Sequence, residues 1–297
     1  MSVSVPPSLI TGVPAQSKWS EPPVPQALKK SRTSRLARLG RATLVAASAF
    51  ALTIGLTGSA HAGVLTPLSE RATTFQKQFQ PVFDYDSDGC LPVAAIDNNG
   101  NLNGGLDDSG AITGQCRSGH LGNANTYSRA KCNNGWCGIV YTLYFEKDMS
   151  CADCTATSHR HDWEAAVIWI RQGASTPSYA SVSHHGSYTT SQFSAVPRDG
   201  VRLKVVYHKD GVSTHVFRFA GSGEGAEAWG DGGWDFPRLV SWDNFNNGSS
   251  VDLRGRMNSA TWGDANFPLK DGRFNEELSR AKRDAAAGIS FDPWAAG

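Results

Sequence analysis

The sequence predicts an all-β-dominated fold, a single-domain β-sandwich with a few peripheral α-helices. Several short runs alternate apolar with polar residues or are continuously apolar, which is typical of half-buried and fully buried strands. Clusters of Gly, Asn, Asp and Ser separate these runs and are typical of turns. Helical spacing is confined to a few short segments. Many strands with few helices favour two sheets packed face to face.

The predicted elements follow in chain order. Residues 68–80 carry apolar side chains at three- and four-residue spacing, which predicts a weak helix. Residues 97–114 are rich in Gly, Asn and Asp and are expected to form a loop. Lys209-Asp210-Gly211 lies between two alternating runs and predicts a β-hairpin. The predicted strands are 139–145, 165–170, 181–184, 201–208 and 214–219, and the later helical segments are 242–246 and 275–287.

Residues 1–62 are predicted to be an N-terminal extension and secretory signal peptide, followed by one mature domain at 63–297. Six basic residues between Lys29 and Arg41 precede a small-residue apolar stretch, and Ala60-His61-Ala62 matches a small-x-small cleavage site. A membrane anchor is disfavoured, because the apolar stretch is shorter than the usual spanning length and rich in Ala, Thr and Gly. The protein is therefore expected to be secreted.

The charge of the mature domain excludes some partners. The chain has 28 Lys and Arg and 27 Asp and Glu; residues 1–62 hold seven of the bases and one of the acids, which leaves a formal charge of −5 on 63–297. A mildly acidic surface argues against nucleic acid and against unaided attraction to anionic lipid. Eight Trp residues lie in the mature domain and supply a substantial core.

The cysteines predict disulfides, because an even count behind a signal peptide is typical of oxidised secreted proteins. Cys132–Cys137 and Cys151–Cys154 are close enough in sequence to close small loops, which leaves Cys90–Cys116 as the third pair. This is one of fifteen connectivities. The alternative is a zinc site built from two short Cys pairs, which the oxidising compartment and the irregular intervals disfavour.

Residues 158–164 read Ser-His-Arg-His-Asp-Trp-Glu and run directly into an apolar stretch. Side chains alternate along a strand, so Asp162 and Glu164 share one face, whereas His161 points to the other. His159 has the wrong parity to join the carboxylates unless it lies in the turn before the strand. Two carboxylates and one imidazole at a loop-to-strand corner predict a site for a hard cation. On these residues alone, a salt-bridge network with Arg160 is an equal alternative.

The same heptad resembles the Gly-His-Arg-His-Asp-Trp-Glu signature of the necrosis- and ethylene-inducing-like proteins, secreted cytolysins of plant-associated microbes. Six of its seven positions match, with Ser158 in place of the glycine. Residues 138–148 resemble the strand and Lys-Asp turn before that signature, residues 183–188 its His-Gly segment, and residues 265–274 its C-terminal Asn-x-Pro and Asp-Gly-x-Phe stretch. The resemblance covers roughly residues 67 to 287. It implies a central sandwich similar to actinoporins and fungal lectins.

The resemblance also implies a set of metal ligands. In the family, the first His, the Asp and the Glu of the heptad hold a divalent ion together with an upstream Asp. Those heptad positions correspond to His159, Asp162 and Glu164. The upstream position corresponds to Asp148, and Asp153 competes for it. Oxygen-rich ligation with one imidazole favours Mg²⁺ or Ca²⁺ over zinc.

Other residues are assigned to a head-group pocket beside the metal. Arg160 has the chemistry to reach a sugar or phosphate, and His161 is expected to make a structural hydrogen bond on the opposite face. His185 corresponds to the family's histidine near the metal, with His184 expected on the other face. Trp242-Asp243 lies where the family has a Trp followed by an acid near its membrane-facing loops. The resemblance further implies that Cys90–Cys116 is the general bridge of the family and Cys132–Cys137 the extra bridge of its second type.

Asp84, Asp86 and Asp88 match the first half of an EF-hand calcium loop. The twelfth position is Ala95 where such a loop has Glu, and Cys90 follows the motif directly, so a full EF-hand is excluded. A turn is the favoured interpretation, and a weak second Ca²⁺ site is the alternative.

Three functions are compatible with these features. The first is a non-enzymatic, monomeric cytolysin and virulence factor; the resemblance implies that it binds the sugar head group of plant glycosylinositol phosphorylceramide through its metal and damages the plasma membrane. The second is a secreted metal-dependent hydrolase, in which the clustered His, Asp and Glu activate water. The third is a non-toxic carbohydrate-binding homologue, which the Ser158 substitution leaves open.

Overall fold

Two β-sheets dominate the part of the chain that the computed structural model describes, namely residues 64–227, 233–283 and 288–295. The predicted signal segment at 1–62 lies outside these residues. The helices are α1 (Thr74–Gln78), α2 (Leu253–Ser259) and α3 (Phe274–Arg283). The strands are β1 (Val82–Tyr85), β2 (Asn125–Asn133), β3 (Trp136–Asp148), β4 (His159–Arg171), β5 (Tyr179–His184), β6 (Ser187–Gln192), β7 (Arg198–Asp199), β8 (Arg202–Lys209), β9 (His215–Phe219) and β10 (Arg238–Ser241).

The larger sheet is built around the two longest strands. Its six strands are ordered β10-β2-β3-β4-β5-β6, and β3 pairs with β4 in antiparallel register from Trp136 opposite Arg171 to Asp148 opposite His159. All thirteen residues of β3 are buried. A strand buried on both faces must be covered on both sides, which explains why its sequence is nearly continuously apolar.

The two faces of the larger sheet pack against different layers. Ile139, Tyr141 and Leu143 of β3 join a cluster with residues of β1, β8 and β9, the strands of the smaller sheet. In that sheet β8 pairs with β1, β7 and β9. Val140 and Tyr144 point the other way, into a cluster with residues of α2 and α3. The sandwich therefore has a third, helical layer on its outer face.

The predicted all-β-dominated sandwich is confirmed, with two local differences. The helix expected over 68–80 is reduced to α1, whose N-terminus is capped by the Thr73 hydroxyl accepting from the Gln76 amide. The segment expected to be helical at 242–246 forms one 3₁₀ turn, Trp242–Asn244. The last helix is described as far as Arg283, and residues 284–287 lie outside the described part. Among the described residues, no helix is both long and apolar enough to cross a bilayer.

The three disulfides pair as expected: Cys90–Cys116, Cys132–Cys137 and Cys151–Cys154. They close sequence separations of 26, 5 and 3 residues, and none of the six cysteines is free. This pairing removes the thiols that the alternative zinc site would need.

The long disulfide loop is expected to stabilise the fold most. Replacing both Cys90 and Cys116 with Ala should lower the free energy of unfolding by about 3–4 kcal/mol, against about 2 kcal/mol for the Cys132/Cys137 pair, because loop-closure entropy grows with loop length. Urea denaturation of the two double variants measures the difference. A larger loss for the Cys132/Cys137 variant would contradict it.

Candidate metal and ligand site

Three side chains with ligand atoms meet where β3 ends and β4 begins. Asp148 is the last residue of β3 and His159 the first of β4, and the sheet register places them opposite each other. Ligand atoms of Asp148, His159 and Asp162 all lie within 4.8 Å of one another. Asp153, the competing carboxylate, is elsewhere: its Oδ1 accepts from the Gly110 amide at 2.6 Å. The geometry therefore brings together Asp148, and not Asp153, with the heptad.

A left-handed residue brings His159 and Asp162 together. His161 has φ +62°, and the pairing of β3 with β4 skips it while keeping the same register on either side. This conformation breaks the strict alternation of side chains, so residues three apart converge on one side. His159 joins Asp162 without lying in the turn before the strand, the condition that strand parity set, because it is the first residue of β4 and the left-handed residue comes two positions later.

The carboxylates are buried and already hold donors. Asp148 accepts hydrogen bonds from the His215 backbone amide (2.9 Å) and from its ring Nδ1 (2.6 Å). Asp162 accepts from the Trp163 amide (2.8 Å) and from the Tyr207 hydroxyl (3.2 Å). Glu164 accepts from the Ser183 hydroxyl. These donors fix the orientation of each carboxylate. Among them, only the imidazole of His215 can carry a full positive charge.

His159 is oriented as a metal ligand would be. Its Nδ1 donates to the backbone carbonyl of His161 at 2.7 Å, when the proton is placed on that nitrogen. This leaves Nε2 as the atom free to bind a cation. Proteins usually hold a histidine ligand by a hydrogen bond from the ring nitrogen that does not bind the metal.

The electrostatics of the cluster favour a cation. Burial, and then the neighbouring Asp148, raise the pKa of Asp162 from 3.8 to about 7. Burial, followed by the charge of Asp162, raises the pKa of Glu164 well above its usual range. Burial acts to lower the pKa of His159, but Asp162 and the His161 carbonyl outweigh it and the pKa is raised. Carboxylates that lie close together in a low-dielectric site repel one another, so such a site favours binding of a cation or a proton.

The donor set fits a hard divalent cation. Asp148, Asp162 and Glu164 supply oxygen, which Mg²⁺ and Ca²⁺ prefer, and His159 supplies one nitrogen. Glu164 is not in the group that converges within 4.8 Å, but it lines the same cavity. No cysteine sulfur is available there, because all six are in disulfides. The sequence-based choice of Mg²⁺ or Ca²⁺ over zinc stays a prediction.

The cluster forms the floor of a cavity of about 160 Å³. The cavity lies between the beginning of β4, the β5–β6 turn, the beginning of β9, and α3 with the chain before it. Acidic, basic and hydroxyl side chains share its wall, which suits a polar ligand with several hydroxyl groups. Its polar lining residues are Asp148, His159, Asp162, Glu164, Ser183, His185, Ser187, Tyr188, Thr214, His215, Asp264, Asn266, Arg273, Glu277 and Arg280.

Several predicted pocket residues do not line this cavity. Arg160 is half-exposed and forms an ion pair with Asp107. Trp242 is buried in the core, and with Asp243 it borders a separate depression beside Arg129. Arg160, Trp242 and Asp243 were predicted to belong to the head-group pocket, but they lie outside this cavity.

His161 makes the structural hydrogen bond that the strand parity indicates. Its Nδ1 and the Tyr144 hydroxyl are 2.6 Å apart, and Trp262 packs edge-on against its ring. Burial, and then the charge of Arg160, lower the pKa of His161 to about 4. His161 therefore stabilises the outer face of the sheet and stays neutral near pH 7.

This buried histidine is expected to make the fold acid-sensitive. Because the pKa of His161 is depressed in the folded state, the unfolded chain takes up the proton first as pH falls from about 6.5 to about 4, and stability is lost over that window. The loss at pH 5 is about 2 kcal/mol. His161→Asn, which tolerates the left-handed backbone, should remove it.

Urea midpoints of wild type and His161→Asn at pH 7 and pH 5 measure this effect. The difference between the two proteins isolates His161 from other titrating groups. Equal pH dependence in both would show that the histidine is not neutral in the fold.

The paired histidines share one partner. Nε2 of His184 and Nε2 of His185 each lie 3.1 Å from Oδ2 of Asp210. The expectation that His184 lies on the other face is therefore wrong. His185 has φ +45° in the two-residue turn that joins β5 to β6, and this conformation turns its side chain toward the same carboxylate. His185 lines the cavity, as predicted for it.

Three side chains in or beside the candidate site were not singled out by the sequence analysis. His215 holds Asp148, Asp210 holds both histidines, and Asp264 lines the cavity. Asp210 and His215 flank the turn of the predicted β8–β9 hairpin, so the sequence already placed these two residues close together. Their closeness to β3 and to the β5–β6 turn depends on how the two sheets pack.

An arginine side chain forms an ion pair with one carboxylate of the half EF-hand motif. Asp84 lies in β1, and Asp86 follows that strand at 3.5 Å from the Arg218 guanidinium. Arg218 also pairs with Glu224 at 2.6 Å. Arg218 supplies positive charge to Asp86 and Glu224. Ligand atoms of Asp84, Asp86 and Glu224 also lie within 4.8 Å of one another, so the alternative of a weak second Ca²⁺ site stays a prediction.

A family model and curated relatives match this chain. The family described as "Necrosis inducing protein (NPP1)" matches residues 73–281. The NLP effector protein 10 of Phytophthora capsici is 31% identical over 224 residues, which cover 73% of this chain and 86% of the relative. The necrosis-inducing protein NPP1 of Phytophthora nicotianae is 32% identical over 216 residues, covering 70% and 84%.

Solved structures share the fold. Necrosis and Ethylene inducing Protein 2 from the causal agent of cocoa's Witches Broom disease matches with a TM-score of 0.61 and 27% identity, covering 74% of this chain and 99% of that one. NLPPya in complex with mannosamine matches with a TM-score of 0.60 and 26% identity, over 74% and 99%. The non-toxic HaNLP3 protein matches with a TM-score of 0.61 and 26% identity, over 73% and 96%.

Proposed function

The chain belongs to the family of necrosis-inducing proteins (NPP1), and from this premise we propose that it is a secreted, non-enzymatic cytolysin. In this proposal it binds the sugar head group of plant glycosylinositol phosphorylceramide through a divalent cation, contacts the membrane peripherally and damages it. It acts as a monomer. The observation that carries the proposal is the convergence of buried carboxylates at the floor of a polar cavity.

The chain's own residues would divide the work. Asp148, His159, Asp162 and Glu164 would hold Mg²⁺ or Ca²⁺ at the floor of the cavity. A bound cation would supply coordination to vicinal hydroxyl groups of a sugar. His185, Asp264 and the other polar groups of the wall would donate to or accept from the remaining hydroxyls. The complexes of NLPPya with mannosamine and glucosamine support a sugar as the ligand class.

Dye leakage from vesicles tests the proposal. Vesicles with plant glycosylinositol phosphorylceramide should leak when the mature chain and Ca²⁺ or Mg²⁺ are present, and vesicles of the same phospholipids without it should not. EDTA should stop the leakage and added cation should restore it. Leakage that is independent of both the sphingolipid and the cation would overturn the proposal.

A non-toxic sugar-binding role is the second candidate, favoured by the similarity to non-toxic HaNLP3. Cation-dependent binding to the same vesicles without dye release would support it. The third hypothesis, a metal-dependent hydrolase, would instead give turnover of a glycan or phosphodiester substrate. Binding, leakage and turnover measured on one preparation therefore separate the three functions.

A further inference from the structure

A second group of potential metal ligands lies at the tips of two hairpins. His184 and His185 belong to the β5–β6 hairpin of the larger sheet, and Asp210 follows β8 in the smaller sheet. One ligand atom from each lies within 4.8 Å of the others. None of the three belongs to the group of Asp148, His159 and Asp162.

We infer that His184, His185 and Asp210 form a second metal site, which takes Zn²⁺ or a similar borderline transition-metal ion and joins the two hairpins. Two imidazoles and one carboxylate are the ligands such ions prefer, whereas Mg²⁺ and Ca²⁺ require mostly oxygen. The remaining coordination positions face solvent and take water.

The distances fit this assignment. Zinc bonds of about 2.0–2.1 Å place neighbouring ligand atoms of a tetrahedral ion roughly 3.3 Å apart. Both imidazole Nε2 atoms lie 3.1 Å from the Asp210 Oδ2 atom. Small rotations of side chains that are one third to nearly one half exposed are enough to admit the ion.

The backbone presents both imidazoles on one side. Adjacent residues in a strand point to opposite faces. The left-handed conformation of His185 (φ +45°), followed by Gly186 (φ +77°), reverses this for the pair, and the rings lie 4.8 Å apart. Such turns usually place Asn, Asp or Gly at the position of His185. A histidine held in this sparsely populated conformation is typical of a functional position.

The Asp210 carboxylate faces the two imidazoles and remains accessible, with 40% of its side chain exposed. The neighbouring Lys209 ammonium donates to the Gly211 carbonyl at 2.5 Å. The charge of Asp210 is therefore directed to the two imidazoles.

Zinc titration of the untagged mature chain tests the site. The protein is stripped with EDTA, dialysed and saturated with excess Ca²⁺, and Zn²⁺ binding is followed by calorimetry. We expect one zinc per chain, with affinity at least about tenfold lower in His184→Asn and in Asp210→Asn, since each removes a ligand. Asp153→Asn is the matched control, because Asp153 is an exposed carboxylate outside both groups of ligands, and it should bind zinc as the wild type does.

Thermal unfolding gives a second readout. Zinc should raise the melting temperature of the wild type, because it binds the folded state, and should raise it less in His184→Asn and Asp210→Asn. Melting temperatures without zinc show whether either variant has lost its fold. Unchanged zinc affinity in both variants, an equal loss of affinity in Asp153→Asn, or absence of binding to the wild type would each overturn the site. The result does not depend on membrane lysis, so it is separate from the proposed function.

Discussion

Asp162→Asn is expected to abolish membrane lysis while leaving the cation-free fold at least as stable as the wild type. The substitution keeps the size of the side chain and removes one negative charge from a buried group that includes Asp148 and Glu164. A hard cation then loses an anionic ligand that an amide replaces poorly. The loss of function should therefore come without a loss of fold.

The pH dependence of stability gives this prediction a second arm. The pKa of Asp162 is raised from 3.8 to about 7 in the cation-free fold, so the unfolded chain releases its proton first as pH rises. The folded state then binds more protons, and stability falls as pH rises from about 4 to about 7. Asp162→Asn should flatten this fall, and Ca²⁺ should reverse it in the wild type alone.

Leakage assays and urea midpoints on the same preparations measure both arms. Asp153→Asn is the matched control, since it removes an exposed carboxylate from the loop beside the site, and it should leak like the wild type. If lysis survives both EDTA and Asp162→Asn, the cluster is a salt-bridge network and not a metal site. If Asp153→Asn alone abolishes lysis, the cation lies elsewhere in that loop.

His215→Gln is expected to weaken cation binding about 10- to 100-fold, the usual effect of removing a group that orients a metal ligand. The His215 ring holds Asp148 by a 2.6 Å hydrogen bond and lies stacked on Tyr207, which in turn donates to Asp162. His215 is thus a positioning residue: it does not have to touch the ion to set the geometry of two carboxylates.

Excess Ca²⁺ should restore lysis to His215→Gln but not to Asp162→Asn. A misplaced ligand is compensated by mass action, whereas a missing ligand is compensated much less. His208→Gln is the matched control, because His208 lies in β8 of the same hairpin and does not line the cavity. If His215→Gln lowers the melting temperature and calcium fails to restore lysis, the histidine acts through stability and not through Asp148.

Much of the fold was predictable because many of its strands have a recognisable local sequence pattern. The alternating and apolar runs predicted β3, β4, β5, β8 and β9, and the Lys209-Asp210-Gly211 turn predicted the β8–β9 hairpin. The sequence analysis missed β1, β2, β6, β7 and β10. β2 reads Asn-Thr-Tyr-Ser-Arg-Ala-Lys-Cys-Asn and looks polar, but its first four residues are buried because neighbouring strands and α1 cover it. Polar strands that are buried by their neighbours carry no local signal.

The sequence by itself determined the family and the sandwich, and it named the candidate cation ligands, which stay a prediction. Asp148, His159, Asp162 and Glu164 could be named because the heptad and the Lys147-Asp148 turn are continuous motifs. The six cysteines could be paired because two of the pairs lie a few residues apart.

Only the tertiary structure decided how those residues meet. Simple strand parity separated His159 from Asp162, and the left-handed backbone at His161 reunites them. The same device at His185 places two adjacent histidines on one carboxylate of the other sheet. The backbone conformation of a single residue depends on packing that no local pattern encodes. The same holds for contacts between the two sheets, which join residues more than twenty positions apart in the chain.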